Sequence, residues 1–233
     1  MTIVDGGSAF SQYGLTPTGG RFAPITRTVT EVMKAVKRKF GDESGVQLED
    51  ADIMAWINDA QDVIVTKNKI LKAKSVISTA AGVRNYLLPT EGIQQIESLL
   101  YNGQQLPNMS VAQAEESISQ TDLNFEETGN PLFWFEWAGE ITLWPTPVEN
   151  GSLTLRYSMK PAPVTSPSSL LSVPDTYYQD VVTFVLKQAY EMDENESMMA
   201  TKGAEFEASL ANRIDEERTA QTMTYGVITI IDD

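Results

Sequence analysis

Residues 52–79 read DIMAWINDAQDVIVTKNKILKAKSVIST, and the period of the apolar positions changes partway along. From Asp52 to Asn68, Ile53, Trp56, Ile57, Ala60, Val63 and Ile64 share one helical stripe, while Asn58, Asp59, Gln61 and Asp62 fall on the opposite, wet side. Beyond Lys72 the period is two, the mark of strands. Helical periodicity resumes only at Asp175. The pattern predicts an α+β fold, a helical bundle with helices near 28–40, 52–68, 175–193 and 197–221 and an inserted antiparallel β domain.

Working outward toward the N-terminus, Thr28 and Glu31 have capping-box spacing, Val29, Val32, Met33, Val36 and Phe40 form an apolar stripe, and Gly41 supplies a stop. Lys34, Lys37, Arg38 and Lys39 occupy the other face, near the carbonyl end that favours cations. They form either a solvated face or a contact for an acidic neighbour. Asp50 or Asp52 can cap the second helix, and a Gly/Asp/Ser loop predicts that the first two helices pack as an antiparallel pair.

In the β domain, Ser75 to Thr79 and Arg84 to Leu88 flank Ala80-Ala81-Gly82 as an expected hairpin ended by Pro89. Glu97 to Tyr101 and Gln104 to Leu106 flank Asn102-Gly103, a dipeptide suited to a type I′ turn. Residues 111–120 suit a short polar helix. Phe133-Trp134-Phe135-Glu136-Trp137 and Ile141 to Leu143 suit a second hairpin, which Asn150-Gly151 extends through Leu153, Leu155 and Tyr157 into a three-stranded meander. Phe133, Phe135 and Trp137 at period two read as the buried face of a small sheet, with a stacking platform for sugars or bases as the alternative.

Residues 161–173 form a Pro/Ser linker. Pro174 opens a helix with Tyr178, Val181, Val182, Val185, Ala189 and Met192 on one face. The last helix has a narrow stripe, Met199, Gly203, Phe206, Leu210 and Ile214, which suits packing on a single neighbour. The expected organisation is an N-terminal arm over 1–25, a bundle from 26–70 with 174–222, a β domain over 71–160, and a C-terminal docking strand over 223–233. Gly6-Gly7, Gly19-Gly20, Pro17 and Pro24 give the first arm too little apolar surface to order by itself, so it is either a segment that orders against a neighbour or a floppy leader. In the tail, Val227-Ile228-Thr229-Ile230-Ile231 is a β-prone run with no sequence-adjacent partner. Tyr225, Val227, Ile228, Ile230 and Ile231 are therefore the candidates for strand addition to another subunit or protein, with pairing within the chain's own sheet as the alternative.

Charge is segregated along the chain. Between Asn85 and Leu155 there are ten acidic residues and no Lys or Arg, whereas eleven of the seventeen cations lie within residues 21–84. The formal charge of −15 divides as +2 over 1–84, −10 over 85–155 and −7 over 156–233. With no cation to displace counterions or bind a phosphate oxygen, the middle stretch repels a nucleic acid. DNA near it passes rather than binds.

Histidine and cysteine are both absent, which removes the usual neutral-pH acid/base, the thiolate nucleophile, disulfides and most zinc sites. The 42% hydrophobic content belongs to a folded chain, and no run approaches the ~20 apolar residues that span a bilayer. The N-terminus has neither the basic region nor the apolar run of a secretory signal, so a soluble protein is expected. Phosphate-loop, dinucleotide, hydrolase and zinc-protease motifs are missing. Glu115-Glu116 and Glu126-Glu127 read as solvated carboxylates rather than acid/base pairs, and Asp193-Glu194-Asn195-Glu196 reads as an interhelical turn lacking the Gly and terminal Glu of a calcium loop. No catalytic residue, metal or cofactor is expected.

The ordered set Asp52-x3-Trp56-Ile57-Asn58-Asp59-Ala60-Gln61, Tyr86-Leu87-Leu88-Pro89, Leu99-x2-Asn102-Gly103-x2-Leu106, Gly129-Asn130-Pro131, Ile141-Thr142-Leu143-Trp144-Pro145-Thr146-Pro147, Gly151-x-Leu153-x-Leu155-x-Tyr157-x3-Pro161 and Val173-Pro174-Asp175-x-Tyr177 resembles the head-to-tail adaptor proteins of tailed bacteriophages, over residues 50–195. The resemblance implies a non-enzymatic virion protein at the portal vertex or neck, assembled in the host cytoplasm. It would form a homo-oligomeric ring, usually of twelve subunits. Its partners would be the portal protein, tail or neck proteins and double-stranded DNA passing through the channel, with no membrane. The C-terminal segment would engage the portal, while the N-terminal arm and first helix have no counterpart in the resemblance. Charge pairing between subunits is expected from Lys34, Lys37 and Arg38 on one side and Glu207 and Glu216 on the other. The alternative is a monomeric carbohydrate- or ligand-binding module using Trp134, Trp137 or Trp144.

Overall fold

A computed structural model of the protein describes residues 24–88, 92–120 and 127–225, with side chains through Glu216 in the last segment. The described residues divide into two compact units, Leu71–Lys160 and a second built from 24–70 with those from Pro161 onward.

The helical unit begins with α1 (Val29–Phe40) and α2 (Asp50–Asn68). At the start of α1, Glu31 N–H donates to Thr28 Oγ1 and Thr28 N–H donates back to the Glu31 carboxylate (2.9 Å), so the capping box forms as its spacing predicts. Gly41, at φ 95°, closes the helix by donating to the Lys37 carbonyl. Val29, Val32, Met33 and Val36 are buried, and the Phe40 ring lies 5.2 Å from that of Tyr190. After residues 161–173, a 3₁₀ turn (Asp175–Tyr177) leads into α4 (Tyr178–Met192), which a tight turn joins to α5 (Glu196–Tyr225); α3 lies in the β unit. Both α1 and α2 make their more extensive contacts with α4 rather than with each other, so α4 is the hub and the expected α1–α2 pair is a minor contact. Val181, Val182, Val185 and Ala189 are buried on α4, and Phe206 and Leu210 on α5. The narrow stripe of α5 meets chiefly α4, as one apolar residue per turn implies.

Three details of this unit differ from the sequence reading. Glu49 occupies the N-cap of α2 without a side-chain bond, while Asp50 lies within the first turn and pairs with Lys37 (2.6 Å). Gln61 is fully buried and Asn58 half-buried, although helical periodicity places both on the wet side. Their face of α2 is covered by residues 161–173, which the stripe of α2 alone does not reveal. Finally, α5 continues through Tyr225, past the expected end near Gln221.

The β unit contains β1 (Lys72–Thr79), β2 (Asn85–Leu87), β3 (Ile93–Tyr101), β4 (Gln104–Leu106), α3 (Val111–Gln120), β5 (Thr128–Gly129), β6 (Phe133–Trp137), β7 (Glu140–Trp144), β8 (Thr146–Pro147) and β9 (Gly151–Met159). Among the described residues they form a four-stranded antiparallel sheet in the order β1-β9-β3-β4, a three-stranded antiparallel sheet in the order β2-β7-β6, and a short parallel pair, β5-β8. The Asn102-Gly103 turn has positive φ at both residues (48° and 86°) and joins β3 to β4 as expected. Leu99, Leu153 and Leu155 from the larger sheet pack with Trp134, Ile141 and Leu143 from the smaller one in a single core. On the far side of the smaller sheet, Phe133, Phe135 and Trp144 are covered by Ala114 and Ile118 of α3. The arrangement is a sheet, a second sheet and a helix in three layers.

The expected pairing of residues 75–79 with 84–88 does not occur. β1 pairs along all eight residues with β9, whereas β2 offers three residues and joins β7. The longer ladder wins, and the intervening turn is redirected by Gly82 N–H donating to the Pro147 carbonyl and Tyr86 Oη donating to the Val83 carbonyl. Pro89 lies outside the described residues. The three-stranded meander is also absent, because β9 joins β1 and β3 instead of β7. Pro145 and Pro147 have no N–H to continue the ladder beyond Trp144, so the chain leaves that sheet before β9 begins.

The period-two reading of the aromatic run holds for Phe133 and Phe135 and fails for Trp137, which is 67% exposed at the turn end of β6, while Trp134 on the opposite face is only 3% exposed. Both faces of β6 are covered near its start and neither at its end. Trp134→Ala is therefore expected to destabilise the protein by about 3–5 kcal/mol, while Trp137→Ala stays within about 0.5 kcal/mol. Urea unfolding followed by circular dichroism checks this, and equal losses would contradict the layer assignment.

Candidate assembly surfaces

Two kinds of surface matter for assembly: those that hold the chain together and those left to meet other proteins. The first group is built by the segment that returns from the β unit. The Asn58 carboxamide accepts the Val164 N–H (2.8 Å) and donates to the Val164 carbonyl (3.2 Å), treating that peptide as a neighbouring strand would. Gln61 Oε1 accepts the Ser172 N–H (2.5 Å). The Val29 N–H donates to the Ser169 carbonyl, and the Thr30 N–H and hydroxyl both donate to the Pro167 carbonyl. Val164, Leu171 and Val173 bury their side chains.

Asp175 completes the clasp by accepting the Thr26 N–H (2.8 Å), the Thr26 hydroxyl (2.5 Å) and the Arg27 N–H (3.1 Å). Burial alone would raise the Asp175 pKa, but these hydrogen bonds outweigh it and hold the carboxyl below its ordinary value. Asp42 is lowered too, chiefly by the Leu48 N–H and also by those of Val46 and Gln47, which it gathers into the α1–α2 loop. The Thr28 N–H does the same for Glu31.

A second clasp joins α4 to α5. Asp180, 3% exposed, accepts from Ser209 Oγ (2.5 Å) and from Arg213 Nε (2.7 Å), and the Arg213 guanidinium also lies over the Tyr177 ring. Asn68 donates to Tyr177 Oη.

Of the charged residues expected at subunit contacts, Lys37 pairs with Asp50, and Glu207 receives Lys67 Nζ at 2.5 Å. These two are engaged within the chain. Lys34, Arg38 and Glu216 are exposed. Tyr225 is the last residue of α5 rather than part of a strand, and Val227, Ile228, Ile230 and Ile231 lie outside the described residues, as does the N-terminal arm before Pro24.

The outer layer of the β unit is acidic. The smaller sheet and α3 carry Glu115, Glu116, Glu136 and Glu140 and contain no Lys or Arg. Glu115 and Glu116 are exposed on α3, opposite Ala114 and Ile118. Glu126 lies outside the described residues. Trp137, Glu115, Glu140 and Phe135 border a shallow depression there. Trp134 and Trp144 are buried, so of the three tryptophans considered for ligand stacking Trp137 alone is exposed. In the Asp193–Glu196 turn, Asn195 Oδ1 accepts the Met198 N–H and starts α5. Among the described residues no three acidic side chains are grouped to hold a metal ion, and no helix is long and apolar enough to cross a membrane.

A family model described as SU10 adaptor protein matches residues 27–229. The chain belongs to the SU10 adaptor protein family. It is thus a phage head-tail adaptor, a structural component of the virion that associates with other head and tail proteins. No curated protein matches the chain. The matched span includes α1, which the sequence resemblance over residues 50–195 left without a counterpart, and the described parts of both units.

Two sequence stretches that carried the resemblance have a physical meaning in the adaptor. Asn58 and Gln61 in the first, and Asp175 and Tyr177 in the last, are clasp residues. The signal that could have found them was the placement of amides and a carboxylate with hydrogen-bonding capacity on an otherwise regular helix face and at a helix start. Linkage gives the sign of their pH dependence. Carboxylates with lowered folded-state pKa values stabilise fully above about pH 4, and the contribution is lost as the pH falls through those folded values. Asp175→Ala is expected to lower the melting temperature near neutral pH and to flatten its fall on acidification, measured by thermal circular dichroism; an unchanged acid limb would contradict the clasp.

Proposed function

We propose that the adaptor forms a closed homo-oligomeric ring, of twelve copies as the resemblance implies, that joins the portal of the capsid to the tail and extends the DNA channel, without catalysis. The observation that carries this reading is family membership over residues 27–229. Charge distribution supports the channel part: a layer holding Glu115, Glu116, Glu136 and Glu140 with no cation can face a passing duplex without releasing its counterions. A ring follows when one surface of a subunit meets a different surface of the next and the rotation closes. Lys34, Arg38 and Glu216 are exposed and opposite in charge, suited to setting the register of such a contact. Assembly in the host cytoplasm is compatible with a chain lacking cysteine.

Sedimentation of the purified chain with and without purified portal is the test. The expected outcome is a complex with portal containing a fixed multiple of the 25.7 kDa chain, together with no retention of duplex DNA at about 0.15 M salt. A species of one-chain mass that ignores portal would overturn the ring reading, and tight salt-dependent DNA binding would overturn the channel reading.

A further inference from the structure

We propose that the tip of the β6–β7 hairpin of one copy, Glu136 to Glu140, docks on the outer face of the larger sheet of a second copy, against Lys74, Val76 and Arg156. The β1–β9 register sets Lys74 directly opposite Arg156. Both side chains are exposed, and among the described residues neither has an ion pair, whereas Lys72, the next residue on that face, is paired with Glu97. Like charges directly opposite one another weaken a ladder, and a facing carboxylate offsets that repulsion. Val76, on the same face, is 60% exposed. Its cross-strand partner is Thr154, and Arg156 has Ser98 opposite it on β3. Two cations beside an apolar side chain suit an acidic protein surface rather than a duplex, whose retention at physiological salt takes many more phosphate contacts.

The hairpin tip has the matching chemistry. Ala138 and Gly139, both at positive φ, turn β6 into β7, and Trp137 and Glu140 are the cross-strand partners that flank the turn. Trp137 is 67% exposed, and Glu136 beside it is exposed as well. Among the described residues Glu136 and Glu140 have no ion pair. The tip therefore offers an indole face for Val76 and the Arg156 guanidinium, and carboxylates for Lys74 and Arg156. An exposed tryptophan is the kind of side chain that carries binding energy once a partner desolvates it.

A second copy is the occupant because one chain cannot bring the two surfaces together. The smaller sheet, which carries the tip, packs on the inner face of the larger one through Leu143, Leu153 and Leu155. Lys74, Val76 and Arg156 alternate onto the outer face, so the larger sheet separates them from their own tip. Two different surfaces of one unit, complementary in charge and unable to meet internally, make a heterologous contact, the kind that closes a ring. Only the hairpin tip is used, so α3 remains available to the channel. The proposal rests on the ring reading and names one contact within it.

The test is sedimentation of the full chain with portal over a series of concentrations, repeated for Lys74→Glu with Arg156→Glu, for Glu136→Lys with Glu140→Lys, and for the chain carrying all four changes. Each pair of reversals is expected to raise the concentration for half assembly by about tenfold or more, and the four together to return it close to the unaltered value. Trp137→Ala, which leaves folding stability nearly unchanged, is expected to raise it by about tenfold as well. Circular dichroism checks that each variant folds. Where a reversal does not, Gln replaces the same residues, and loss with each pair but no further loss with all four is the expected result. Loss in both pairs without recovery in the fourfold variant, or additive loss in the Gln series, would mean that the two surfaces meet portal, tail or the chain's own terminal segments, and would overturn the proposal. Variants that all assemble like the unaltered chain would refute this contact and leave the ring reading standing. An unaltered chain that never assembles would refute both.

Discussion

The insertion of the β unit between α2 and α4 imposes the constraint on which the rest of the structure depends: the helical unit must be closed by residues far apart in sequence. The closure is polar as well as apolar. Asn58 holds the Val164 peptide from both sides, Gln61 takes the Ser172 N–H, and Asp175 gathers three donors from Thr26 and Arg27. An unmade bond at Val164 or Ser172 would leave a partly buried peptide group without a partner, at a cost of about 1–3 kcal/mol. Directional bonds also fix one register for an extended segment that apolar packing alone would let slide. With the segment fixed, α4 starts at a defined place and can receive α1, α2 and α5.

The β unit meets its own constraint differently. Its smaller sheet is buried on both faces, by the larger sheet on one side and α3 on the other, so a single strand such as β6 contributes Trp134 to one layer and Phe133 and Phe135 to the next. Cations are confined to its flanks, Lys72 and Lys74 on β1, Arg84 before β2, Arg156 on β9 and Lys160 after it. Between them lies a stretch that carries only negative charge. A protein that lets a polyanion move past is better served by such a surface than by a basic one, because a basic lining binds through counterion release and slows passage. The same property leaves little with which to grip a phosphate substrate.

The sequence makes some levels of this organisation legible and hides others for identifiable reasons. Local signals succeed where the deciding atoms are close in sequence: the Thr28–Glu31 capping box, the Gly41 stop, the Asn102-Gly103 turn and the β6–β7 hairpin all form as read. Strand partners chosen over long separations fail. Proximity favours pairing residues 75–79 with 84–88, but the eight-residue ladder between β1 and β9 is available only once the whole unit has folded. Gln61 and Asn58 were misplaced because periodicity reports which face of a helix is apolar, whereas their face is covered by an extended polar segment whose peptide groups need partners. Of the candidate contact residues, Lys37 and Glu207 have partners within the chain, and these were hidden in the same way by tertiary proximity.

The account holds that this polypeptide acts through surfaces that meet copies of itself and its virion neighbours. Electron microscopy of the head–tail junction of assembled particles, averaged until the fold of the chain can be traced, tests that most directly. The account predicts density for this fold repeated around a closed ring between portal and tail, with the α3 layer of the β unit facing the DNA path. The chain found as a single copy, or located away from the channel axis, would contradict it.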